Sequence, residues 1–304
     1  MDEGWKERSE TSNQFWLNLL WQTTRLAGRR ACRIVLLPVI ALVYLCFDRE
    51  SRRHSLDFLR RVGPDAPTWW QVFRHLLTFA TVSVDRLHLL AGDQSQFEVR
   101  TTGDEVFARL GGGALLVTAH FGSFEVMRVL GTESHKLDLH ILLDKSHNAA
   151  AYSLISALNP PLAERVIDAG IDGPRLVVQL ANVVQAGGLV GLMGDRLLPG
   201  QRHVECDFLG APAAFPLGPW ILAGIIDCPV ICCFGIFEGG ATYRLQFEQL
   251  DVRDFSGGRQ EQAQAAASAY AAMLGRYVKM APYNWFNFFD FWATHDAPPR
   301  TRGD

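Results

Sequence analysis

The stretch Val117-Thr118-Ala119-His120-Phe121-Gly122-Ser123-Phe124-Glu125 holds the residue types that proton-transfer chemistry needs. A histidine whose ring is oriented by a carboxylate can take a proton from a hydroxyl or an amine. His120 and Glu125 are the first candidates for that pair. Inside one helix of about 3.6 residues per turn, a five-residue step would turn the two side chains apart. They meet only if His120 precedes the helix and folds back, which a hinge at Gly122 permits. Ser123 reads as the N-cap of a helix over residues 124–130, with Glu125 in its first turn. A lone histidine near a strand end is by default a structural residue. His120 is set apart by the strand end, glycine hinge and helix start that surround it.

The elements that position such a pair can be read outward from it. The apolar run 114–117 predicts a short buried strand. His120 then stands at the rim of an open sheet, where ligands of α/β folds collect. The triple glycine at 111–113 lacks a following Gly-Lys-Ser/Thr and reads as a turn, not a phosphate loop. An edge strand is expected near residues 97–100 and a further strand over 137–143, followed at once by Asp144 and Lys145. A helix over 149–158 is broken by Asn159-Pro160-Pro161, and another short strand is expected at 165–167. A helix over 173–185 closes on Gly187 and Gly188. The strand 189–193 then delivers Gly194-Asp195-Arg196 to the same rim as His120. Arg196 offers a fork of donors for a phosphate or a developing oxyanion. Asp195 either positions Arg196, contacts an acceptor, or forms a plain salt bridge with it. Residues 208–219 read as a tight, apolar, glycine- and proline-rich loop into a helix over 219–226. Residues 230–237 and 243–247 read as a strand pair across Gly239-Gly240, and 260–278 as a long alanine-rich helix. The pattern gives an α/β fold, a mixed and largely parallel sheet flanked by helices.

The segment His120-Phe-Gly-Ser-Phe-Glu125 resembles the His-x4-Asp/Glu signature of the lysophospholipid acyltransferase superfamily. The form with Glu, followed by Gly194-Asp195-Arg196 and by Phe208-Leu-Gly-Ala-Pro-Ala-Ala-Phe-Pro216-Leu-Gly218-Pro219, is similar to the bacterial lipid A biosynthesis (late) acyltransferases. The resemblance runs from the N-terminus to about Trp292. It implies a glycerolipid acyltransferase-like fold, with His120 and Glu125 as the catalytic pair. Asp195, Arg196, Gly122, Ser123, Phe215, Pro216 and Gly218 become candidate substrate-binding residues, Phe215 and Pro216 lining an acyl chain. The tail 282–292 departs from the usual lipid A pattern, with fewer basic residues around its tryptophans, and leaves the acceptor open.

The chain has 304 residues, 48% hydrophobic and 20% charged, with a net charge of −3. Nothing in that balance points to nucleic acid. Its six cysteines show no zinc-type Cys-x2-Cys pairing, and buried thiols in a reducing compartment are expected. No metal and no cofactor is expected. Residues 15–26 read as an amphipathic helix. Residues 34–47 are an apolar run of fourteen with Pro38 inside. At about 1.5 Å per residue this run is shorter than a ~30 Å hydrocarbon core. Nine arginines against three acids between Arg25 and Arg61 give a local charge of +6. A short apolar helix flanked by arginines suits an anionic lipid surface; the alternatives are a core helix with a solvated basic face and a patch that meets an acidic protein. His54, His75 and His88 read as structural or surface residues. Two regions are expected, 1–95 as a membrane-associating helical part and 96–304 as the α/β domain.

The expected function is transfer of a fatty acyl group from an acyl thioester, on acyl carrier protein or CoA, to a hydroxyl or amine of a lipid acceptor. The resemblance implies the cytoplasmic face of a bacterial inner membrane, with either peripheral, monotopic attachment or a single N-terminal anchor; a full crossing by residues 34–47 is not favoured. In the expected mechanism His120 is the base, and backbone N–H groups after His120, or Arg196, are the oxyanion donors. No Gly-x-Ser-x-Gly elbow is present, and Ser123 reads as a cap and not a nucleophile. The competing readings are an acyl thioesterase in which His120 activates water, and a non-catalytic lipid-binding protein on the same fold.

Overall fold

The computed structural model describes residues 21–127, 138–197 and 200–293. Residues 15–20 of the expected amphipathic segment and the end of the helix expected at 124–130 lie outside them, and residues 21–26 are helical.

Nine strands are described: β1 Glu98–Thr102, β2 Ala114–Thr118, β3 Leu139–Leu143, β4 Val166–Asp168, β5 Leu189–Met193, β6 His203–Phe208, β7 Ala211–Pro216, β8 Val230–Gly239 and β9 Thr242–Gln249. Seven form one sheet in the order β1-β9-β8-β2-β5-β3-β4. The five strands from β8 to β4 are parallel, and β9 returns antiparallel to β8 with β1 beside it. The sheet is therefore mixed and largely parallel. Strand β2 sits at its middle and is buried along its whole length. Leu115 and Val117 belong to one core, and Ala114 and Leu116 to the core on the other face. A strand covered on both faces reads as an unbroken apolar run, not as an alternation.

Seven longer helices surround the sheet: α1 Arg29–Phe47, α2 Arg49–Val62, α3 Trp69–Ala91, α4 Ala149–Leu158, α5 Gly173–Gln185, α6 Gly218–Ile226 and α7 Arg259–Met280. Helix α1 opens with a wider π turn over Cys32–Leu36, just ahead of Pro38, whose missing N–H interrupts a regular α ladder. Asp48 accepts from Ser51 N and starts α2, and a capping box between Thr68 and Gln71 starts α3.

Helix α1 runs antiparallel along α3. At one end Arg29, buried, forms two hydrogen bonds to Asp85 of α3, at 2.6 and 2.7 Å, and a third to Gly240 O at 2.8 Å. Tyr243 of β9 donates to the same Asp85 carboxylate at 2.8 Å. At the other end Arg52 of α2 donates to the Leu45 and Cys46 carbonyls and stacks over Trp69. Leu37 and Ala41 are buried between these ends, while Ile34, Val35, Val39, Leu42, Val43, Tyr44 and Phe47 are exposed. By length and composition, α1 is apolar enough to cross a membrane.

One stretch differs from expectation. Residues 208–219 are not a loop: Ala211–Pro216 is β7, paired antiparallel with β6 as a separate hairpin. Leu209 and Gly210 at its turn both take positive φ, 54° and 79°, the geometry of a type I′ turn. A leucine at that position gives no sequence signal for it.

Candidate active site

Strands β2 and β5 are parallel neighbours with Thr118 opposite Met193. His120 and Asp195 follow these two residues at the same offset, so the rim brings them face to face. His120 Nδ1 lies 2.9 Å from Asp195 Oδ1, and His120 N donates to Asp195 Oδ2 at 3.0 Å. Trp285 Nε1 donates to that second oxygen at 3.3 Å. The Asp195 side chain is 1% exposed and the His120 ring 30%. Burial works to raise the Asp195 carboxyl, but His120 and Arg196 outweigh it and hold the carboxyl below its usual range. An ionised carboxylate only accepts, so Nδ1 carries the proton and the lone pair of the neutral ring sits on Nε2. That atom has no hydrogen-bond partner among the described residues.

The carboxylate on His120 is therefore Asp195, and the expected contact from Glu125 is replaced. Glu125 accepts from Ser123 Oγ at 3.0 Å and pairs with Arg86 of α3 at 2.7 Å. The turn Phe124–Val126 is a 3-10 turn, and the Ser123 hydroxyl makes no N-cap bond, because it is engaged by Glu125. Asp195 in turn makes no hydrogen bond to Arg196. Arg196 donates to Phe286 O at 2.8 Å and lies over the Phe289 ring at 5.1 Å.

The backbone around His120 is held by residues far along the chain. Gly122 N donates to Asn284 O, Ser123 N to Gly235 O, and Phe286 N to His120 O. Two of the N–H groups expected to receive an oxyanion are thereby engaged, and the Phe121 N–H and Arg196 remain from that set. Gly122 has a φ of +58°, and a Cβ there would stand 1.7 Å from Gly235 O. Only glycine fits this crossing of two backbones. Tyr270 of α7 donates to Thr118 O at 2.7 Å and fixes the end of β2 from below. Asn284 is locked to both backbone groups of Phe237.

Phe215 and Pro216 lie in β7, both buried. The Phe215 ring packs against Phe208, Tyr270 and Phe291. Gly218 begins α6. Trp285, Tyr270, Asn284 and Arg86 were not legible as site residues. Each reaches the rim from an element distant in sequence, and the aromatic density of 282–292 was a visible sign only for the segment that holds Asn284 and Trp285.

His75 is fully buried, with Nδ1 2.9 Å from Ser55 Oγ and Nε2 2.9 Å from Trp285 O. Burial pushes its pKa down to about 4. It is a structural histidine that ties α2 and α3 to the tryptophan beside Asp195. Arginines lie apart from His120 on α2. Arg60 and Arg61 face Phe289–Trp292 across a cleft of about 220 Å³, and Arg49, Arg52 and Arg53 line a second depression. Among the described residues no group of three or more His, Cys, Asp and Glu side chains is arranged to hold a metal. Five of the six cysteines are buried and all six are free thiols.

Residues 78–294 match the model of the family described as bacterial lipid A biosynthesis acyltransferase. No curated protein matches the chain. Among solved structures, the chain is similar to the crystal structure of the 1-acyl-sn-glycerophosphate (LPA) acyltransferase PlsC from Thermotoga maritima. Identity is 14% and the TM-score 0.38, over 83% of this chain and 97% of that one. A likeness at that level carries no inference about activity.

Proposed function

The chain belongs to the bacterial lipid A biosynthesis acyltransferase family, and on that premise we propose the chemistry its rim performs. It is a lipid acyltransferase. In the proposed reaction His120 Nε2 takes the proton of an acceptor hydroxyl or amine. The freed nucleophile attacks the carbonyl of a fatty-acyl thioester carried on acyl carrier protein or CoA. The tetrahedral intermediate collapses with loss of the thiolate, which takes the proton back from the imidazolium. Asp195 holds the ring in the tautomer that presents Nε2 and stabilises the imidazolium. Arg196 is the donor proposed for the oxyanion.

The observation that carries this reading is the 2.9 Å contact between His120 Nδ1 and a buried, ionised Asp195, on a ring that remains partly exposed. The test is transfer of radiolabelled palmitate from acyl carrier protein and from CoA to extracted bacterial lipids, with free fatty acid counted in parallel. Label in lipid that is lost in His120→Ala supports transfer. Label released only as free acid supports a thioesterase instead.

Membrane association belongs to the same proposal, with residues 1–95 as the associating region and the cytoplasmic face of the inner membrane as its place. Its support is the exposed face of α1, together with Trp69 and Trp70 at 60% and 67% exposure beside the arginines of α2. Aromatic and arginine side chains at one tip suit a head-group layer. Helix α1 is fastened to Asp85 of α3 at its start and to Arg52 of α2 at its end, and α3 carries Asp85 and His75 inside the protein. A helix so held lies along the surface of one leaflet and does not cross it.

A further inference from the structure

Trp285 meets the His120–Asp195 pair twice. Its backbone stands opposite Phe121 in an antiparallel bridge, closed by Gly122 N to Asn284 O and Phe286 N to His120 O. Its indole then turns back, and Nε1–H donates to Asp195 Oδ2 at 3.3 Å. The same oxygen takes the His120 backbone N–H at 3.0 Å, while Oδ1 takes the His120 ring at 2.9 Å. Among the described residues, every hydrogen-bond partner of this carboxylate is therefore His120 or Trp285. A buried, ionised carboxylate is oriented by its donors, and Nε1 is the one donor that does not come from the histidine being aimed.

The other side of Trp285 is gripped from α2 and α3. Its carbonyl accepts from Asn287 N and lies 2.9 Å from His75 Nε2. A carbonyl only accepts, so Nε2 carries the proton of the His75 ring, and Nδ1 accepts from Ser55 Oγ at 2.9 Å. Ser55 and His75 are both fully buried. Phe58, one turn after Ser55 on α2, meets the Trp285 ring edge-on at 5.0 Å. The donors run one way: Ser55 hydroxyl to His75, His75 to the Trp285 carbonyl, and the indole to Asp195. The carbonyl and the indole are not conjugated, so His75 acts on Asp195 only by fixing where the tryptophan stands. The rings of Phe58, Phe286 and Phe288 face His75. Besides His120, the ionisable groups that bear on Asp195 are Arg196 and Tyr270, which donate to Phe286 O and Thr118 O.

We propose that Trp285 is a positioning residue for acyl transfer, which holds the Asp195 carboxylate against rotation so that His120 Nε2 stays aimed, and that Ser55 and His75 set the tryptophan from α2 and α3. This rests on the acyl-transfer reading above. Donation from the indole also draws charge from the carboxylate. Its loss leaves Asp195 a stronger acceptor for the imidazolium, so the acid limb of the kcat/KM profile moves to higher pH while kcat falls.

The test uses the full-length protein and the palmitoyl-transfer assay above, with palmitoyl-CoA or palmitoyl-acyl carrier protein as donor. Trp285→Phe keeps an aromatic ring and removes the donor. It should lower kcat by about 10- to 100-fold, the worth of a hydrogen bond to a charged group, with little change in KM for the thioester. His75→Leu should show a smaller loss of the same kind. His75→Gln, whose amide nitrogen can stand in for Nε2, should recover most of it. In an Asp195→Asn background, Trp285→Phe should cost little more, because the group it acts through has lost its charge. Losses that add in full to those of Asp195→Asn, or an acid limb that stays in place, overturn the proposal. Where Trp285→Phe fails to fold, 3-benzothienylalanine at position 285, with sulfur in place of the N–H, makes the same comparison at nearly constant volume. Nitrogen-15 NMR of histidine-labelled protein without substrate reads the pair directly, with His120 assigned by its loss in His120→Ala. The His120 titration midpoint should rise when the indole donor is removed, and an unmoved midpoint overturns the proposal. Absence of transfer by the wild type counts against the acyl-transfer reading and leaves this titration to decide whether Trp285 acts on the pair.

Discussion

At the scale of single residues the site turns on which carboxylate touches His120. The sequence places Glu125 five residues away and Asp195 far off, and proximity along the chain favours the wrong partner. Parallel pairing of β2 and β5 decides the matter, because equal offsets past paired residues land side by side. His120, Asp195 and Arg196 were legible as rim residues because each follows a short apolar run. Their mutual contacts were not legible, since strand order cannot be read from the strands themselves. Asp195→Asn should lower kcat about as far as His120→Ala, in the range of roughly 10²–10⁴-fold typical of acid–base groups, with an unchanged circular dichroism spectrum. Glu125→Gln should leave most of kcat at saturating substrate. An equal kcat loss in Glu125→Gln and Asp195→Asn would return Glu125 to the catalytic pair. Gly122→Ala should destabilise the fold and abolish transfer together, because its methyl group would collide with a backbone oxygen. A thermal melt of that variant matching the wild type would contradict the crossing described here.

At the scale of elements, strands and helices with strong patterns were read nearly to their ends. Helix α5, helix α4 and strand β5 coincide with the expected ranges, and β8–β9 form the expected antiparallel pair. The hairpin β6–β7 was missed because its turn lacks the usual asparagine or glycine pair and its strand holds two prolines. The connection from α2 through His75 to Trp285 was also invisible, as it depends on a buried side chain meeting a backbone carbonyl. It has a measurable signature. The pKa of His75 in the folded state, about 4, lies below the unfolded value of about 6.5, so the unfolded chain binds the extra proton first. Stability is complete above about pH 6.5 and falls as the pH drops toward 4. Between pH 7 and pH 5 the loss should be about 2 kcal/mol. Urea unfolding at the two pH values measures it, and His75→Gln should flatten that slope. An unchanged slope in the variant would assign the acid sensitivity to other groups.

At the scale of the whole molecule, the arginine excess near the N-terminus resolves into two jobs. Arg29 and Arg33 point inward to the β8–β9 turn, and the arginines of α2 stay at the surface. Composition reveals the excess but not this division, which needs the antiparallel packing of α1 on α3. Asp85→Asn should cost about 3–5 kcal/mol, the penalty of a broken buried ion pair, and speed hydrogen exchange in α1 first. Replacing Trp69 and Trp70 by serine should weaken sedimentation with vesicles containing phosphatidylglycerol. Replacing Arg49, Arg52 and Arg53 by glutamine should weaken it most at low salt, where surface charges are least screened. Unaltered sedimentation in both sets would remove the tip as a lipid contact.

The segment from Asn284 to Phe286 completes the backbone pairing of the histidine loop, and it is translated long after that loop. During synthesis the earlier strands emerge first, so the base would wait, without its closing partners, until the C-terminal stretch leaves the ribosome. Nascent or C-terminally clipped chains would then carry every motif residue and still be inert. The order in which the chain is made would itself keep half-built copies from transferring acyl groups.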